Sequence, residues 1–179
     1  MNYPPRALLL TLACCLALLA CQGDDLAGDR LEMLPQRLEV PAGLNPVLSH
    51  NFVVGDDIPT EHDRFAAETG VAWDDWSRVT PRRASLFITE PGLDWSFAQE
   101  VVLKGYRDDP AVQVELFYRD QIRSDAGQRL DLIPVEVDIR DLLDGEEYGL
   151  VLELRFLRRS PPQSFPVQLE YNWSGIRAD

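Results

Sequence analysis

The chain has 179 residues, with 17 basic side chains against 30 acidic ones and a formal net charge of −13 at pH 7. That balance excludes a binder of phosphate backbones, since such surfaces depend on clustered Lys and Arg, and nucleic acid is therefore not an expected partner. Its length suits one domain that can stand on its own core.

The first feature in chain order is an apolar run at residues 7–20 (ALLLTLACCLALLA), preceded by Arg6. A bilayer-spanning helix needs ~20 apolar residues, so this shorter run reads as a signal sequence and not as an anchor helix. It closes on Leu18-Leu19-Ala20-Cys21, where a small residue stands directly before a cysteine. The segment resembles the lipobox of bacterial membrane lipoproteins. The resemblance implies a cut between Ala20 and Cys21, a diacylglyceryl group on the Cys21 thiol and acylation of the new amino terminus. Secretory cleavage without lipid is the alternative. Each buried methylene contributes ~0.8 kcal/mol, and two or more chains make release from a membrane slow. Gln22 follows the cysteine where lipoproteins retained in the inner membrane often carry Asp, so the same resemblance implies the outer membrane.

Cys14 and Cys15 lie inside the run and would leave with it, so the exported body is expected to have no disulfide. Residues 21–35 are rich in acids and glycine and read as a solvated tether. The expected organisation is a signal peptide at 1–20, a tether at 21–35 and a folded domain at 36–179.

From residue 36 the dominant signal is alternation of apolar and polar side chains. Strands are expected at 36–40, 47–54, 84–89, 99–107, 111–119, 135–139, 148–158 and 165–173. The last two are the clearest. Tyr148, Leu150, Leu152, Leu154 and Phe156 share one face, and Phe165, Val167, Leu169, Tyr171 and Trp173 share another, with Gln168, Glu170 and Asn172 opposite. One-sided alternation argues against a parallel sheet covered on both faces. The expected fold is an all-β antiparallel β-sandwich of about eight strands. A short helical insertion is expected after Thr60, capped by that residue with Asp63 three positions on, and ended by Gly70.

The stretches Pro41-Ala42-Gly43-Leu44-Asn45-Pro46, Ser49-His50-Asn51-Phe52 and Ile58-Pro59-Thr60 resemble a group of bacterial β-sandwich lipoproteins of unknown activity. That resemblance implies the same fold and no particular activity.

Marks of chemistry are few. No Ser stands in a Gly-x-Ser-x-Gly elbow, and no thiol nucleophile would survive processing. His50 and His62 with Asp56, Asp57 and Asp63 would be the only histidine-based metal set, without ligand spacing to support it, and the reading names no metal or cofactor. Acid pairs at Asp56-Asp57, Asp74-Asp75, Asp108-Asp109 and Glu146-Glu147 lack the spacing of a calcium loop. Trp73, Trp76 and Trp95 fall in connecting segments and are the candidate ligand contacts, because exposed indoles stack on sugar rings. Trp173 follows the apolar face of its strand and is expected in the core. The reading is a lipid-anchored envelope protein, held to the membrane through Cys21, whose sandwich binds another envelope component or serves a structural role. The alternatives are a carbohydrate-binding module using the loop tryptophans and a hydrolase built on carboxylates.

Overall fold

A computed structural model describes residues 28–178 of the chain. The signal run, Cys21 and the first part of the expected tether lie outside the described residues. Nine strands follow: β1 (Asp29–Glu32), β2 (Gln36–Val40), β3 (His50–Pro59), β4 (Trp76–Ile88), β5 (Glu100–Tyr106), β6 (Val114–Arg119), β7 (Arg129–Pro134), β8 (Glu147–Arg155) and β9 (Phe165–Arg177). Two helices interrupt them, α1 (His62–Thr69) and α2 (Arg140–Leu143). None of the described helices is long and apolar enough to cross a membrane.

Every strand pairing is antiparallel, and the spatial order is β1-β9-β4-β7-β6-β5-β8-β3, with β2 also paired to β9. Between β7 and β6 the ladder is reduced to Phe117↔Pro134 and Tyr118↔Ile133. The sheet curls over at that seam into two facing layers. One holds β1, β2, β9, β4 and β7; the other holds β6, β5, β8 and β3. The result is the expected all-β sandwich, with a jelly-roll-like curl.

Alternation explains which layer face is inside. Along β9, Phe165, Val167, Leu169, Tyr171 and Trp173 are all buried, as are Tyr148, Leu150, Leu152 and Leu154 along β8. Burial of a large apolar side chain contributes about 2 kcal/mol. Aromatic contacts knit the layers: Trp173 stacks on Phe117 with ring centroids 5.8 Å apart, and the Tyr148 and Tyr171 hydroxyls meet at 2.6 Å.

Several boundaries differ from the sequence expectation. The folded body begins at β1, inside the segment read as tether, because Leu31 and Met33 are buried and β1 pairs with the far end of β9. Four residues carry too little periodicity to announce a strand. The strand expected at 135–139 is an irregular connection, and the ladder lies just before it in β7, where Leu130 and Leu132 point inward. Val47 and Leu48 stand exposed in a loop, and Phe156 lies beyond the end of β8 with φ 52 and its side chain outside.

The helical insertion is where it was expected, but its cap is different. Glu61 occupies the N-cap with φ 64, while the Thr60 hydroxyl donates to Gly145 O at 2.7 Å and so ties the end of β3 to the loop before β8. Phe65 is buried, and Gly70 (φ 70) ends the helix by donating its N–H to Ala66 O at 2.9 Å. A positive φ there suits Gly, which has no Cβ to clash.

Candidate functional site

The three tryptophans singled out from sequence divide sharply. Trp76 is 1% exposed and Trp95 0%, so both are core residues and neither offers a ring face to a ligand. Trp76 belongs to β4, and the Trp95 indole Nε1–H donates to Gln128 O at 3.0 Å. Trp76 opens a strand that starts earlier than its alternation announces, and Trp95 lies in a short connection that plugs an end of the core. Only Trp73 is partly open, and it is stacked on His62 with ring centroids 4.0 Å apart and planes 16° apart.

The histidines are not brought together. His50 and His62 stand at the two ends of β3, which at ~3.3 Å per residue separates them by roughly 30 Å. Each Nε2 is hydrogen-bonded to a backbone carbonyl, Asn45 O at 2.8 Å for His50 and Leu143 O at 2.8 Å for His62. Among the described residues no group of three or more His, Cys, Asp or Glu is placed to hold a metal ion.

Three of the four acid pairs do converge. Asp56, Asp57, Asp108, Glu146 and Glu147, with Asp144, border a shallow open depression around Tyr106. Burial, with the Asp56 and Asp57 charges, raises the Tyr106 pKa. Arg107 crosses this end of the molecule, donating to Asp141 O at 2.7 Å and to Asp108 Oδ2 at 3.1 Å.

The most structured polar cleft lies elsewhere, on the outer face of the first layer. Four strands lie side by side there, at ~4.8 Å spacing, and their register decides who meets whom. Arg83 stands opposite Asn172, Ser85 opposite both Glu170 and Asp131, and Glu32 opposite Asn172. All of these but Asp131, together with Arg30, Arg129 and Tyr171, surround a cleft of about 150 Å³.

Its floor is polar and buried: Ser85 is 3% exposed and Asn172 4%. Ser85 Oγ donates to Asp131 Oδ1 at 2.6 Å, and Arg129 donates to the same oxygen at 2.9 Å and to Ser85 Oγ at 3.3 Å. The serine hydrogen bond first, then Arg129, holds the Asp131 pKa below the usual carboxylate range. Arg30 pairs with Glu32, and with its amide oxygen turned to Arg30, Asn172 accepts from Nη2 at 3.1 Å and Nε at 3.2 Å.

Two charged groups on this cleft are left over. Arg83 makes no hydrogen bond or ion pair with any described residue, although its charge contributes to lowering the Asp131 pKa, and Glu170 has no cationic partner among them, accepting only from Gln168 Nε2 at 3.0 Å. Sequence reasoning placed Glu170 and Asn172 on an outward face but did not single out this set. The polar alternation of Arg83-x-Ser85 and Glu170-x-Asn172 was the available signal, and the pairing register that joins them was not.

No family model matches the chain, and no curated protein matches it. Among solved structures, one of desmodium yellow mottle tymovirus shares 8% identity over 86% of this chain and 92% of that one, with a TM-score of 0.32. A structure of cocksfoot mottle virus shares 10% identity over 84% and 85% of the two chains, at a TM-score of 0.28. One of the empty head of turnip yellow mosaic virus shares 6% over 86% and 84%, at 0.26. Overlaps this loose carry no argument about function.

Proposed function

We propose that this chain is a lipid-anchored bacterial envelope protein whose β-sandwich serves as a non-catalytic binding module, with the polar outer face of its first layer as the contact surface. The observation that carries the reading is the run at 7–20 closing on Leu18-Leu19-Ala20-Cys21, directly ahead of a sandwich. Acyl chains on Cys21 would hold the body near a bilayer, and the geometry is consistent with that. Cys21 precedes Gly28 by seven residues, a reach of at most ~25 Å, so the end of the sheet where Gly28 meets Gly175 would face the membrane.

A binding role rather than catalysis is supported by the cleft. The buried Ser85 hydroxyl is held between Arg129 and Asp131, a carboxylate whose lowered pKa makes it a weak base, and no imidazole stands beside it to activate it. Gln22 favours the outer membrane.

The test has two arms. The wild type and Cys21→Ala are expressed in a Gram-negative host, fractionated and weighed intact; the wild type gains the mass of acyl chains and sediments with membranes, and the variant does neither. An unmodified Cys21 thiol in membrane-associated wild type would sink the anchor. In the second arm, a photo-crosslinking side chain replaces Arg37 or Gln168 on the outer face of the first layer. Adducts at these positions, absent from a control at Asn51 on the other layer, support the binding surface; identical yields at both refute it.

A further inference from the structure

The cleft between β1, β9, β4 and β7 is lined by three guanidinium groups and two carboxylates, with the Asp131 carboxylate beside it, and most of that charge is spent internally. Arg30 is matched to Glu32 and Arg129 to Asp131. What remains is one planar donor fork, Arg83, and one acceptor carboxylate, Glu170. They occupy diagonal positions on paired strands, since Arg83 faces Asn172 and Glu170 faces Ser85. Diagonal neighbours lie roughly 7–8 Å apart at Cα, close enough for long side chains to meet. Yet the two do not pair with each other, and both border the same cleft.

Opposite charges held in no ion pair, Arg83 reaching Asp131 only through its field, flank a small space and define the complement of a ligand that carries both signs. The fork suits a carboxylate, which an arginine takes in a bidentate pair, and Glu170 suits an ammonium. The floor supplies a hydroxyl and an amide. The cleft, about 150 Å³ and open to solvent on one side, has room for a small ligand such as an amino acid with a short side chain. A sugar fits less well. The lining offers no open aromatic face, because the Tyr171 hydroxyl turns inward to Tyr148 and the Trp173 ring is buried against Phe117.

We infer that the cleft binds a small zwitterion of the α-amino acid class, its carboxylate on Arg83 and its ammonium on Glu170. This deepens the binding reading above and rests on it, but is independent of the anchor.

The experiment is calorimetric titration of the full mature protein in detergent with L-alanine, acetate and methylammonium, each taken to tens of millimolar. Alanine binds, and the two half-ligands bind at least about tenfold more weakly, since each meets only one of the two charges. Arg83→Gln and Glu170→Gln each weaken alanine binding by about tenfold or more. Glu115→Gln, on β6 of the second layer, leaves it unchanged. Arg83 and Glu170 are exposed, and equal melting temperatures without ligand confirm that both variants are folded.

Acetate binding as tightly as alanine would overturn the proposal, because Glu170 would then do nothing; so would heats absent for all three compounds. If alanine fails while crosslinks still form at Arg37 or Gln168, the ligand class is wrong and the binding surface stands. If both fail, the binding reading falls with it.

Discussion

Replacing Gly149 by Ala probes how the outer face of the second layer is built. Gly149 lies opposite Tyr106 in the β5–β8 ladder, and a Cβ at this position would sit 2.1 Å from Tyr106 Cζ and 2.5 Å from both Cε atoms. The ring therefore lies flat across the glycine, and it is 7% exposed. Two responses are open to the variant. Holding the ring in place strains the ladder, which for overpacking costs about 1–3 kcal/mol. Swinging it out exposes of order 100 Å² of apolar surface, about 2.5 kcal/mol at ~25 cal/mol per Å². Against either stands the ~0.5–1 kcal/mol that Ala gains over Gly within a strand. The net loss is about 2 kcal/mol, or roughly 4–8 °C in melting temperature for a domain of this size. Urea titration of Gly149→Ala, Tyr106→Ala and the double variant measures it. With the ring removed, Gly149→Ala should be neutral or slightly stabilising, so the coupling in the cycle exceeds about 1.5 kcal/mol. An equal cost in both backgrounds would refute the stacking of Tyr106 on Gly149.

Two further expectations concern the buried polar groups. Tyr148→Phe leaves the Tyr171 hydroxyl without its partner in the core and should cost about 1–3 kcal/mol, whereas Tyr148→Phe with Tyr171→Phe costs less than the sum of the two singles. Burial raises both phenol pKa values above the ordinary ~10, so their contribution to stability is present below pH ~10 and is lost as pH rises beyond it. Tyrosinate absorbance should show these two ionising only with alkaline unfolding; their titration in a folded protein near pH ~10 would count against the buried pair. On the outer face of the second layer, Glu153 accepts from Arg155 at 2.7 Å and from Lys104, the chain's one lysine, at 2.6 Å. The Arg155 hydrogen bond, then Lys104, holds its pKa below the usual range. The folded value is the lower one, so the stabilisation is present above pH ~4.3 and disappears as pH falls through the folded value. Glu153→Gln should flatten that acid limb of the stability profile, and parallel limbs for wild type and variant would contradict it.

Alternation made the strands readable because one face of each antiparallel strand is wet. Phe165 to Trp173 and Tyr148 to Leu154 announced the inner faces of β9 and β8 without any tertiary information. The same logic failed where length was too small or the environment changed within a few residues. β1 is four residues long, and Phe156 continues an apolar alternation past the point where its backbone turns to positive φ. Trp76 was misjudged because β4 starts well before its clear alternation, and Trp95 because a connecting segment can either plug a core end or stand in water with the same local sequence.

Read alone, the order of residues settles an acidic all-strand body and an apolar run that closes on Ala20-Cys21, since periodicity, charge and run length are local properties of the chain. The cleft of Arg83, Ser85, Glu170 and Asn172 is not local. Its members lie some ninety residues apart and meet because β9 pairs with β4 in one register, and a slip of one residue would turn one strand's pair to the opposite face from the other's. Which charges find ion-pair partners within the fold, and which do not, follows from that pairing.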